Sequence, residues 1–133
     1  MEVAAGEAMS VTIKDNYYDN VSILKDRRIF YFKSDSSDVS ITNETVINCH
    51  LNDLYSIAEA NNIVIDDFRI HNTVNTNAIT ETSSILRILK ANSKVTVTNF
   101  EVMNSVFNYG KAFEIESAHE LDFSISSFEG NKL

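Results

Sequence analysis

The chain has 133 residues, 44% of them hydrophobic, and a formal net charge of -8, which suits one folded, acidic domain. That acidic balance repels phosphate backbones and argues against nucleic acid as a partner. A lone Cys49 rules out an internal disulfide framework, and no apolar run approaches the ~18 residues that a membrane helix needs.

The opening stretch, MEVAAGEAMS, carries Glu2 and Glu7 and no basic residue, so it does not read as a secretory signal. If the protein is exported, this chain is expected to be a mature piece or an internal fragment. The absence of proline and the scarcity of glycine leave the turn chemistry of a β-rich chain to Asn and Asp.

In chain order, five segments overlay without gaps: Val11–Asn20, Val39–Asn48, Ile63–Asn72, Val95–Asn104 and Phe123–Lys132. Their second apolar positions are Ile13, Ile41, Ile65, Val97 and Ile125, a near-regular beat along the chain. Two positions earlier stand Val11, Val39, Ile63, Val95 and Phe123, with an outward residue between, which is strand alternation. Two positions later come Asp15, Asn43, Asp67, Asn99 and Ser127. These short side chains bond their own backbone, and Asn and Asp tolerate the left-handed conformation of a sharp bend. A second alternating strand follows, reading Asn16/Tyr18, Glu44/Val46, Phe68/Ile70, Phe100/Val102 and Phe128/Gly130, and clearest in the third and fourth segments. It ends on a second column: Asn20, Asn48, Asn72 and Asn104, with Lys132 in the last segment.

A third apolar pair precedes each of the last four segments: Phe30/Phe32, Tyr55/Ile57, Leu86/Ile88 and Phe113/Ile115. Small residues follow at Ser34, Ala60, Ala91 and Ala118, as at another corner. Each repeat is therefore expected to hold three short strands, two tight corners and one variable connection. The connections run over 21–29, 49–54, 73–85 and 105–112. Insertions confined to one side are the habit of repeat proteins.

The pattern is that of an all-β, right-handed parallel β-helix of about five rungs, and the chain resembles the pectate-lyase-like superfamily of such coils. The resemblance implies a stacked Asn ladder and interior columns of Val and Ile about 4.8 Å apart. The alternative is an antiparallel β-sandwich, whose turn signals recur every ~8–12 residues. A sandwich leaves the five matching columns unexplained. Solenoids cap their exposed ends, yet the last repeat stops at FEGNKL and the first begins after MEVAAGEA, neither long enough for a cap. The expectation is a single β-helix domain over 1–133, cut from a longer coil or covered at its ends by a partner. Gly110-Lys-Ala-Phe113 and Phe128-Glu-Gly-Asn131 also resemble the GGA(I/L/V) and FxxN repeats of chlamydial polymorphic outer-membrane proteins and similar protist surface proteins.

Polysaccharide lyases and polygalacturonases use such coils. Asp66-Asp67 is the nearest approach to the hydrolases' paired aspartates, but Asp67 belongs to the corner column. The Asn-Thr-Asp, Gly-His-Gly and Arg-x-Lys motifs of that family are missing. Arg27, Arg28, Arg69 and Arg87 form no group with acids for a lyase. His50, His71 and His119 have no metal-ligand spacing, and Cys49 reads as a small packed residue. Tyr31, between Phe30 and Phe32, reads as the exposed ring of a strand and is the candidate to stack on a sugar. Sequons at Asn20-Val-Ser22 and Asn43-Glu-Thr45 mark Asn20 and Asn43 as glycosylation candidates. The polar loop from Thr73 to Ser84 is a candidate binding element.

No catalytic, cofactor or metal residue emerges from this reading. We expect a structural or adhesive coil segment of a larger surface or secreted protein, touching proteins, neighbouring rungs or glycans through its loops. The competing expectations are a carbohydrate-active or carbohydrate-binding coil and a scaffold subunit of an intracellular assembly.

Overall fold

The computed structural model describes residues 1–2, 7–23, 27–76 and 83–132, without the side chains of Thr76 and Ile125. Residues 77–82 of the long polar loop therefore lie outside the described residues, as does the expected interior side chain of Ile125. In chain order the strands are β1 (Ser10–Lys14), β2 (Tyr17–Asp19), β3 (Ser22–Ile23), β4 (Phe30–Lys33), β5 (Asp38–Ile47), β6 (His50–Leu51) and β7 (Tyr55–Glu59). They continue with β8 (Ile63–His71), β9 (Val74–Thr76), β10 (Ser84–Ile88), β11 (Ala91–Met103), β12 (Val106–Asn108), β13 (Lys111–Ile115) and β14 (Ala118–Glu129). Among the described residues no helix is long and apolar enough to cross a membrane.

The strands build a parallel β-solenoid of about four turns. One sheet runs β1-β5-β8-β11-β14 with β2 alongside β5, a second β13-β10-β7-β4, a third β12-β9-β6-β3. The strands pair in parallel, which a sandwich of hairpins could not give. The ends add partial strands: Glu2 bridges Lys33 at one end and Lys132 bridges Val106 at the other.

Backbone conformation explains the repeat. Asp15, Asn43, Asp67 and Asn99 have φ of 60°, 53°, 57° and 52°, and Asn20, Asn48, Asn72 and Asn104 have φ of 57°, 54°, 48° and 50°. Each pair of left-handed residues bends the chain twice. The first bend lies inside the long strands β5, β8 and β11, so the two short strands expected there are one continuous, kinked strand. The second bend launches the third sheet. That sheet was not expected, because its very short strands sit within the supposedly variable connections.

The last repeat is shifted from its sequence alignment. Val95, Val97 and Val102 pair with Leu121, Phe123 and Phe128, so the partner of Val97 is Phe123 and not Ile125. Ser127 consequently lies opposite Glu101 and is not in the corner column with Asn99. Gly130, at φ 66°, holds the place of Asn104 instead of Lys132, and a Cβ there would collide with the Asn104 Oδ1. The gapless overlay matched Ser127-Phe128 to Asn99-Phe100. The backbone instead keeps the step from first sheet to third constant. Val39, Ile63, Val95 and Leu121 precede His50, Val74, Val106 and Lys132 by the same interval. Length varies between the third sheet and the second. That step is shortest from His50 to Tyr55 and longest from Val74 to Leu86, with Ser22 to Phe30 and Val106 to Phe113 between those extremes.

Inside, Ile41, Ile63, Ile65, Val95 and Val97 are fully buried, as are Phe32, Ile57 and Ile88 of the second sheet. Each such side chain contributes about 1.5–3 kcal/mol relative to an exposed one. Aromatic rings form a spine along the axis, with centroid distances of 6.1 Å for Tyr55–Phe68, 5.4 Å for Phe68–Phe100 and 5.2 Å for Phe100–Phe113.

This register has two measurable consequences. Ile65→Asp places a carboxylate in a dry column and should abolish the cooperative thermal transition, whereas Val64→Asp next door, on a 41% exposed side chain, should leave it nearly unmoved. Circular dichroism melts decide it, and equal effects would break the inward–outward assignment. Asn72 offers a cleaner probe of the bend: Asn72→Val should cost at least the ~1–2 kcal/mol of a left-handed residue, and Asn72→Gly far less, in urea titrations.

Candidate functional site

The eight left-handed Asx residues turn their side chains outward, and all but half-buried Asp67 are exposed. These side chains reach neighbouring turns, but only the bond from Asn43 to Asp15 joins two corner residues, those of Asn48 and Asn99 ending on Asp19 and Asp66, one place before a corner. Asn43 Nδ2 donates to Asp15 Oδ1 at 2.8 Å, Asn48 Nδ2 to Asp19 Oδ1 at 3.1 Å and Asn99 Nδ2 to Asp66 Oδ1 at 3.0 Å. Each bond joins one turn to its neighbour. The Asn43 sequon nitrogen is thus engaged, while Asn20 stands exposed on the first turn.

On the outer face, Asp66, Asp67, Arg69, Glu101, Ser126 and Ser127 line part of an open cleft of about 530 Å³. Its carboxylates are already paired. Asp66 Oδ1 also accepts from Thr98 Oγ1 at 2.6 Å, Asp67 Oδ1 lies 2.5 Å from Arg69 Nη2, and Glu101 bonds His71 Nε2. Among the described residues, no group of three His, Cys, Asp or Glu could hold a metal ion. His50 and His119 are exposed and separate from this cleft, and Cys49 is buried with Sγ 3.1 Å from the Ile47 carbonyl oxygen. Arg28 sits over the Tyr31 ring at 4.8 Å, covering a face that a sugar would need.

The interior holds one polar cluster that the sequence reading placed only as a column member. Glu44 occupies the inward position of Phe68 and Phe100 and is fully buried. Tyr55 Oη donates to its Oε2 at 2.5 Å, and Asn16 donates to Oε1 from Nδ2 at 2.9 Å and from its backbone nitrogen at 3.3 Å. The Tyr18 hydroxyl lies 2.7 Å from that of Tyr55. A Glu and an Asn in successive turns of an apolar column were the available signal. The cluster fixes the first turn on the second, since a one-residue slip would leave the Glu44 carboxylate unpaired. Burial, the Glu44 hydrogen bond and the Tyr18 bond push the Tyr55 phenol far above its ordinary value, and burial raises that of Tyr18.

Asn75 is a second missed residue. It is fully buried within the expected binding loop, and its Nδ2 donates to the carbonyls of Leu51 and Asn52 at 2.8 and 2.7 Å. A Cβ on Gly110 would collide with the Asn75 Oδ1, so that glycine makes room for the clamp.

No family model, curated protein or solved structure matches the chain. The most distinctive open surface is the C-terminal end of the coil, where Leu121, Phe123 and Phe128 are 52%, 42% and 58% exposed. There the aromatic spine runs out into solvent, with Phe113–Phe123 at 6.1 Å and Phe100–Phe128 at 6.2 Å. Beside them Val102, Phe107, Phe113 and Gly130 line a mainly apolar recess of about 600 Å³.

A phenol whose folded value is raised keeps its proton while the unfolded chain loses it. The stabilisation is intact below about pH 10, the unfolded value, and is lost as pH rises beyond it. Stability should therefore fall by up to about 1.4 kcal/mol per pH unit on account of Tyr55. Absorbance at the phenolate band should report Tyr55 only as the chain unfolds, and Tyr55→Phe should flatten the alkaline slope. An unchanged slope in that variant would remove Tyr55 from this role.

Proposed function

We propose that the chain is a non-enzymatic structural coil segment, a stiff spacer that holds loops at fixed spacing for protein or glycan contacts on a surface or secreted protein. The observation that carries this reading is the state of the polar groups. The carboxylates of the outer cleft are tied to neighbouring-turn or same-strand donors, and the buried Glu44 is tied to Tyr55 and Asn16. Side chains spent on joining turns are not poised for proton transfer. Further ties of the same kind, Lys90–Glu59 at 2.7 Å and Lys94–Glu120 at 2.8 Å, join successive turns elsewhere on the surface.

We read the coil as right-handed and pectate-lyase-like, in keeping with the strong preference for right-handed crossovers between parallel strands. Its likeness to polymorphic surface-protein repeats supports the surface setting, and the exposed Asn20 sequon suits export. A carbohydrate-active site in the outer cleft is the reading to test against.

Lys14 and Ser124 share one column and are four turns apart, about 19 Å at ~4.8 Å per turn. Spin labels at these two positions should give one narrow distance distribution, unaltered by added polygalacturonate or pectin, with no unsaturated or reducing sugar released. A broad distribution would end the spacer reading. Sugar release abolished by Asp66→Asn or Glu101→Gln would establish an enzyme instead.

A further inference from the structure

One backbone position stands apart from the corners. Among the described residues, nine other than glycine have positive φ, and eight of them are the Asn and Asp of the corners. The ninth is Tyr109, at φ 57° in the connection between β12 and β13. Asn and Asp carry a left-handed backbone at small cost, whereas a bulky aromatic residue there is an outlier. The conformation is imposed from the preceding turn. Val106–Asn108 pairs with β9, Lys111 pairs with Ser84 of β10, and Lys111 N–H donates to the Ser83 carbonyl at 3.0 Å. Both stems of the connection are thus fixed, and Tyr109 takes up the strain between them.

The Tyr109 ring is 62% exposed, so burial does not offset that strain. Beside it Gly110 must stay bare. Buried Asn75 points its Oδ1, which has no hydrogen-bond partner among the described residues, at the place a Gly110 Cβ would take. Phe107, Asn108, Tyr109 and Gly110 bound a recess of about 410 Å³. Exposed Asn108 supplies an amide to its rim. The one charged side chain of the connection, Lys111, is held by Glu114 at 2.7 Å, so the connection offers no free charge.

Backbone strain that persists without a packing gain marks functional positions. An exposed ring with an amide and bare backbone beside it matches one ligand chemistry. The C–H face of a pyranose packs on an aromatic ring, and its hydroxyls bond amides and backbone groups. The formal charge of -8 repels acidic sugars. A protein partner would need a broad contact, on the order of 1,000 Å², with several anchors; here one ring stands between polar, exposed Asn108 and Lys111. We propose that Tyr109 is the stacking platform of a site for an uncharged pyranose glycan, kept strained because a corner-type Asn would remove the ring. This deepens the reading of the coil as a presenter of loops for glycan contacts, and rests on it.

Tyr109→Asn separates strain from binding. Asn suits φ 57° but lacks the ring, so the urea midpoint should rise while glycan binding is lost. Tyr109→Phe keeps the ring and should bind as the native chain does. With only three glycines in the chain, the Gly110 amide is readily followed by NMR. It is titrated with cellotetraose, maltotetraose and mannotetraose, and with tetragalacturonate as the acidic counterpart. At least one neutral sugar should give a saturable shift, weakened by about tenfold or more in Tyr109→Asn. If Tyr109→Asn fails the circular dichroism check for folding, Tyr109→Gly serves, since glycine also adopts this φ. No saturable shift with any neutral sugar would overturn the proposal and leave the ring to a protein contact. Equal or tighter binding of tetragalacturonate, binding that survives loss of the ring, or a Tyr109→Asn midpoint below the native one would overturn it as well. The narrow spin-label distance between Lys14 and Ser124 is untouched by such a failure, which separates it from failure of the spacer reading.

Discussion

The left-handed backbone of the Asx corners is the constraint on which this fold depends. An L-residue at positive φ costs energy, and Asn and Asp bear that cost best among residues with side chains. Two such residues in each turn force the chain to wind, where it would otherwise run straight or fold back. Once it winds, parallel pairing follows, and apolar columns and surface ladders fall into register together. Glycine would ease each bend, yet among the described corners only Gly130 takes that place. Asn adds what glycine cannot: a side-chain amide that reaches the neighbouring turn, as Asn43 reaches Asp15.

Polar groups in this coil are therefore mostly connective. Outside, Asn, Asp, Lys and Glu link adjacent turns through exposed contacts, each worth little alone. Inside, Glu44 is different because it is fully buried. Hydrogen bonds from Tyr55 and Asn16 make a buried carboxylate tolerable, and loss of either donor would leave a charge in a dry column. The spine is thus interrupted by a carboxylate towards the N-terminal end and is aromatic towards the C-terminal end, where Phe123 and Phe128 reach water.

Much of this was legible in the residues. The Val and Ile columns, the corner Asx residues and the small residues at Ala60 and Ala91 line up in the sequence as they pair in space. Three things were hidden. The third sheet uses strands such as Ser22–Ile23 and His50–Leu51, too short for alternation to declare itself. The last turn lacks an Asx at its first corner, so Ser127-Phe128 drew the alignment away from the true pairing with Glu101 and Val102. The bonds of Glu44 and Asn75 depend on partners far along the chain, such as Tyr55 and Leu51, which no local pattern encodes.

The connection between the third and second sheets is more than twice as long from Val74 to Leu86 as from His50 to Tyr55, yet the stretch that follows through the first sheet keeps its length. Loop closure grows only slowly more costly with length. Each turn therefore carries one site where residues can be gained or lost while the turns above and below keep their pairing. Such a coil can diversify its surface one turn at a time, with the scaffold held by the corners and the variation, apart from single-residue register shifts between the second and first sheets, gathered on one side of the stack.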